Sequence, residues 1–186
     1  MGKFNFEQTP IKDLVVITPT VFGDHRGYFM ETYQKEEFAA AGINVDFVQD
    51  NESSSSRGVL RGMHFQKTNP QGKLVRVIEG EVFDVAVDLR RSSETFGKWY
   101  GVTLSAENKK QFYVPEGFAH GFLVLSERAT FVYKCTRLYD PTDEGGLAFD
   151  DAGVGIEWPI SPDMELKLSE KDKKHPGIAA LGFAFD

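Results

Sequence analysis

Lys73-Leu74-Val75-Arg76-Val77-Ile78-Glu79-Gly80-Glu81-Val82-Phe83-Asp84-Val85-Ala86-Val87-Asp88-Leu89 is the stretch that decides the fold. Val85, Val87 and Leu89 alternate with Ala86 and Asp88, a period of two that gives a half-buried strand two different faces. Lys73–Glu79 reads as the strand before it, and Glu79-Gly80-Glu81 joins the two tightly, as glycine allows. Outward from this pair, short strands are legible at 14–18, 28–33, 59–66, 99–104, 111–114, 120–125 and 130–136. Phe occurs 16 times, beside 6 Tyr and 2 Trp, and aromatic side chains favour strands. Helical signal is confined to 34–41, which Gly42 would stop, and to a short segment from Ser169. The low-complexity run Ser53–Ser56 reads as a loop, and the residues beyond Lys173 carry no assignment. The expectation is one all-β domain over 1–186. It has a jelly-roll or β-sandwich core at about 14–160, small peripheral helices, and a C-terminal segment 161–186 with a short helix.

The 186 residues are 41% hydrophobic and 26% charged, ordinary proportions for a soluble globular protein. A net charge of −7 argues against a nucleic-acid partner, which needs a broad basic footprint, but leaves room for a small anion held by a local cluster. The single cysteine, Cys135, forms no internal disulfide and points to a reducing cytoplasm; it reads as a small core residue. Residues 1–13 carry no apolar signal segment and no run is long enough to span a bilayer, so no membrane partner is expected.

Two segments resemble the paired motifs of the cupin superfamily. Around His64-Phe65-Gln66, metal-binding cupins carry His-x-His and then a Glu upstream of the closing glycine; here Gln66 and Lys73 stand at the second His and the Glu. The second segment, Pro115-Glu116-Gly117-Phe118-Ala119-His120, keeps Pro-x-Gly-x-x-His. Two imidazoles and an ammonium are a poor site for a divalent cation, since Lys⁺ offers no lone pair and repels it. No metal and no cofactor are expected.

Val21 to Gly27, Phe47 to Asn51, Leu60 to Gln66, Gln71 to Arg76, Gly80 to Asp88, Val114 to Gly121 and Gly155 to Pro159 together resemble the dTDP-4-dehydrorhamnose 3,5-epimerase family. The resemblance implies a substrate, dTDP-4-dehydro-6-deoxy-D-glucose, whose C4 ketone acidifies C3–H and C5–H. Inversion then needs a base on one face, a cation at the enolate oxygen and an acid on the other face; each acid or base typically contributes ~10²–10⁴-fold.

His64 is the candidate base, with Asp172 as the carboxylate that orients it and stabilises the imidazolium. Ser169-x-x-Asp172 also reads as a helix cap. Lys73 is the candidate enolate stabiliser, with Arg61 and His120 sharing that task or binding substrate. By resemblance Tyr133 matches the family's proton donor and Tyr139 the residue that stacks on thymine. Arg26, Arg61 and Lys171 are assigned to the diphosphate, and Glu31, Gln49, Asp50, Asn51 and Glu144 to base or sugar. Trp158-Pro159 reads as packing. A homodimer is implied by the same resemblance. Three alternatives stand beside this reading: an epimerase that inverts only one of C3 and C5, a non-catalytic sugar-binding cupin, and a metal-dependent oxygenase of cupin form.

Overall fold

Period-two strands need two faces covered, and the chain covers them by stacking two sheets and then draping its ends over the outside. The computed structural model describes residues 2–186. In chain order the elements are β1 (Phe4–Gln8), β2 (Val15–Pro19), β3 (Phe22–Asp24), β4 (Gly27–Phe29), helix α1 (Lys35–Ala40), β5 (Gln49–Ser56), β6 (Leu60–Gln66) and β7 (Lys73–Glu79). They continue with β8 (Glu81–Asp88), β9 (Trp99–Ser105), β10 (Gln111–Val114), β11 (Phe118–Val124), β12 (Arg128–Cys135) and β13 (Glu144–Gly146). A six-stranded sheet runs β1-β2-β10-β7-β12-β5 and a five-stranded sheet runs β13-β6-β11-β8-β9, while β3 and β4 form a separate hairpin. All their pairings are antiparallel. The result is the expected cupin-like β-sandwich.

The turn at Gly80 does not make a hairpin. β7 lies in one sheet and β8 in the other, so the reversal carries the chain across the sandwich. Gly80 has φ +73°, and a Cβ there would sit 2.0 Å from the Arg128 carbonyl oxygen, so only glycine fits.

Between the sheets, Val75, Val77, Phe112 and Phe131 meet Val82, Ala86, Leu104 and Phe122 in a buried core. Phe122 and Phe131 stack across it at 4.2 Å. Burying each such side chain contributes roughly 1.5–3 kcal/mol. α1 packs its one buried residue, Phe38, on the outer face of the six-stranded sheet with Val15, Ile17 and Leu74. The C-terminal segment covers the outer face of the five-stranded sheet: Trp158, Ile178, Phe183 and Phe185 pack against Met63, Phe65, Val85 and Val87.

Several expectations change. Ser53–Ser56 is not a loop but the end of β5, an edge strand paired with β12 from Gln49↔Cys135 to Ser56↔Arg128; an edge position tolerates polar side chains. β1 lies outside the anticipated core and was not read from the sequence. Of the expected 28–33 strand only Tyr28 and Phe29 pair, as the end of β4 in an exposed hairpin. The helix expected from Ser169 is a single 3-10 turn, Asp172–Lys174, whose Asp172 N–H donates to Ser169 Oγ at 3.1 Å. Among the described residues no helix is long and apolar enough to cross a membrane.

Candidate active site

At one end of the sandwich the apolar interior gives way to polar side chains around a cavity of about 310 Å³. Both sheets line it. From the five-stranded sheet come His64 on β6 and His120 on β11, directly paired in register. From the six-stranded sheet come Lys73 at the start of β7 and Tyr133 on β12. On β12, Phe131, Tyr133 and Cys135 share one face by period two; Phe131 and Tyr133 face the cavity and the core, and Cys135 is fully buried.

His64 Nε2 lies 2.6 Å from Asp172 Oδ1. Asp172 is buried and ionised: burial alone would raise its pKa, but the hydrogen bond and charge of His64 outweigh that and bring it below the ordinary carboxylate value. An ionised carboxylate is acceptor-only, so the bond selects the tautomer with the proton on Nε2 and leaves the Nδ1 lone pair free. Ser169 Oγ therefore caps the very turn that holds Asp172, and the capping reading and the dyad geometry coexist.

A second buried pair stands behind His120. Asp84, fully buried on β8, places its two carboxylate oxygens 2.9 and 3.0 Å from His120 Nε2. Burial pushes the Asp84 carboxyl up, opposed by His120 and Lys73. Lys73 is pushed down by burial, against the pull of Cys135, Asp84 and Glu144. The Tyr133 phenol is pushed up, chiefly by burial.

The rim is built by β13 and the segment before the 3-10 turn. Glu144 accepts from Tyr139 Oη at 3.0 Å and from the Lys171 ammonium. Burial works against ionisation of Glu144, yet these partners hold its pKa below the ordinary value. Arg61 projects from β6 with Nε and Nη2 3.2 and 3.0 Å from Ser55 Oγ.

The structure thus brings His64, Lys73, His120, Tyr133, Tyr139, Arg61, Glu144, Lys171 and Asp172 to one cavity. It does not bring the other five there. Arg26 sits on the exposed β3–β4 hairpin, paired with Asp24 at 2.5 Å, and Glu31 pairs with Lys3. Asp50 pairs with Lys134 at 2.9 Å, Asn51 Nδ2 donates to Cys135 Sγ at 3.5 Å, and Gln49 Oε1 accepts the Tyr139 N–H at 2.9 Å. Asp50 and Asn51 line a separate hollow with Arg76 and Gln111. Gln66 is also turned away: its amide bonds to the Asn69 and Leu138 carbonyls and to the Asp140 N–H.

Three groups escaped the sequence reading. Asp84 carried a signal, a charge at an inward strand position between Val82 and Ala86. Ser55, which holds Arg61, was hidden in the serine run. His175 lay in the unassigned tail; its ring stands edge-on to His64, centroids 5.6 Å apart.

Comparisons with known proteins point to one family. The family model described as dTDP-4-dehydrorhamnose 3,5-epimerase matches residues 8–180. A dTDP-4-dehydrorhamnose 3,5-epimerase of Methanothermobacter thermautotrophicus is 55% identical over 173 residues, covering 93% of this chain and 94% of its own. The crystal structure of the Elizabethkingia anophelis dTDP-4-dehydrorhamnose 3,5-epimerase superposes with a TM-score of 0.92 at 53% identity, over 98% of this chain and all of that one. A Legionella pneumophila 3,5-epimerase, solved in complex with dTDP-4-keto-L-rhamnose, gives 0.92 at 48% identity, over 96% and 94% of the two chains. On motifs, fold and full-length likeness alike, the chain belongs to the dTDP-4-dehydrorhamnose 3,5-epimerase family.

Proposed function

We propose that the protein inverts C3 and C5 of dTDP-4-dehydro-6-deoxy-D-glucose, giving dTDP-4-dehydro-L-rhamnose. One observation carries this reading: His64 and Tyr133 come from opposite sheets and face one cavity. A sugar ring between them has a base on one face and a phenol on the other. His64 Nδ1 takes the proton from carbon, and Asp172 stabilises the imidazolium that forms. Lys73, aided by His120 with Asp84 behind it, neutralises the enolate oxygen; one such donor is typically worth ~2.7–4 kcal/mol. Tyr133 delivers a proton to the other face and recovers it from solvent. Tyr139 at the rim stacks on the base, and Lys171 and Arg61 hold the diphosphate. No step calls for a metal.

The same proposal has the protein act in the cytoplasm, as one domain in a homodimer. Phe22, Tyr28 and Phe29 on the β3–β4 hairpin are more than half exposed, a patch suited to a second copy. Arg26 and Glu31 serve the substrate only across such an interface.

The test is purified protein with the dTDP-keto-sugar in D₂O, followed by proton NMR. Deuterium at both C3 and C5 with inverted product is expected. Deuterium at one centre assigns a single-centre epimerase, and none at either returns the protein to a binding role.

A further inference from the structure

His175 is an imidazole beside the active site that the epimerisation does not use. Its side chain is 10% exposed, and its Nε2 points at Asp172 Oδ1 from 3.5 Å. That nitrogen makes no hydrogen bond, the one buried side-chain atom among the described residues of which this is true. A buried polar group left without a partner destabilises the fold unless something satisfies it. The backbone makes room for the ring: a Cβ at Gly146 would lie 2.2 Å from it.

Asp172 Oδ1 is approached from a second side by His64 Nε2 at 2.6 Å, and His64, Asp172 and His175 hold their donor atoms within 4.8 Å of one another. Two imidazoles and a carboxylate suit zinc, cobalt or nickel, whereas magnesium and calcium select oxygen donors. Tetrahedral zinc holds N and O at about 2.0–2.2 Å, so its donors stand roughly 3.3 Å apart. The two distances to Asp172, 2.6 and 3.5 Å, straddle that spacing, so both imidazoles already approach one carboxylate oxygen at about the separation that a shared ion imposes.

We propose that His64, Asp172 and His175 form a site for one transition-metal dication of the zinc class, and that filling it switches the epimerase off. The ion takes the place of the proton between His64 Nε2 and Asp172. The imidazole, still neutral, then carries its proton on Nδ1, so the lone pair that would accept the carbon acid's proton is gone. Gln66 and Lys73, the replaced cupin ligand positions, take no part. The metal site itself is independent of the proposed reaction; the loss of activity rests on His64 being its base.

The experiment uses untagged, chelator-stripped protein titrated with zinc sulfate in a calorimeter, with deuterium exchange into substrate followed in parallel. One equivalent bound, exchange lost in step with occupancy, recovery on adding chelator and no effect of magnesium are expected. His175→Gln, and His175→Phe which keeps a ring without donors, should each weaken zinc binding by at least about 10–100-fold, the loss that follows removal of even a ligand's hydrogen-bond partner; thermal unfolding without zinc checks that both are folded. Binding of no equivalent, or equal affinity in wild type and both variants, overturns the site. Zinc bound through His175 without loss of exchange upholds the site and refutes His64 as the base.

Discussion

Replacing Asp172 by Asn keeps the shape of the side chain and removes one charge from beneath the base. His64 Nε2 and Asp172 Oδ1 are 2.6 Å apart, and the carboxylate is 5% exposed. Taking the centres of charge of an imidazolium and a carboxylate as ~4 Å apart, with an effective dielectric of ~20, their attraction is about 4 kcal/mol. That attraction exists once the carbon proton has moved to His64, so it lowers the barrier without tightening the ground state. At ~1.4 kcal/mol per tenfold, the full value corresponds to ~10³ in rate. His64 is 30% exposed to the cavity, and screening there brings the expected loss in kcat to ~10²–10³-fold. An amide N–H facing Nε2 would add to the loss by favouring the wrong tautomer. The assay is deuterium incorporation at C3 and C5 by NMR, beside calorimetric binding of dTDP, which should not change. His64→Asn should abolish exchange altogether. An Asp172→Asn rate within about threefold of wild type would refute the electrostatic argument. A variant as inactive as His64→Asn, with binding intact, would make Asp172 itself the base.

Tyr133→Phe keeps the ring in the core and removes the hydroxyl, so the variant should exchange deuterium from the His64 face with retention while forming little inverted product; inversion at the wild-type rate would reduce Tyr133 to packing. Tyr139→Ala should weaken dTDP binding by roughly 1–3 kcal/mol in calorimetry, whereas Tyr139→Phe, which loses only the bond to Glu144, should bind nearly normally. Exhaustive chelation should leave epimerisation at full rate, and restoration by a single divalent ion after its loss would overturn the metal-free mechanism.

The seven motifs were enough to name the family, and the period-two runs were enough to place the central strands. β7 and β10 begin and end where the sequence places them, because short runs rich in apolar residues and bounded by turn residues mark strands in the interior of a sheet. β5 escaped, since an edge strand is held by backbone hydrogen bonds to β12 and its Gln-Asp-Asn-Glu-Ser side chains carry no apolar period. Of the hairpin around Arg26 only Tyr28 and Phe29 were legible as strand; β3 was not, nor was the hairpin's exposure, because its aromatic side chains join no core cluster and the Tyr28 ring meets only the Lys109 ammonium, 4.2 Å from its centroid.

Residue types and motif order alone determined that the site holds imidazoles, an ammonium, a phenol and a carboxylate, since each chemical capacity belongs to a side chain. Which of them meet was decided only in three dimensions. His64 and Asp172 are 108 positions apart in the chain, and a base finds its carboxylate through the 3-10 turn that Ser169 caps. Asp84 serves His120 because β8 and β11 pair in register, and His175 reaches the dyad because Gly146 leaves space for its ring. Arg26 and Glu31, equally plausible by motif, fold away from the cavity. Local sequence sets what a group can do; long-range strand pairing and steric fit set which groups stand within a hydrogen bond of one another.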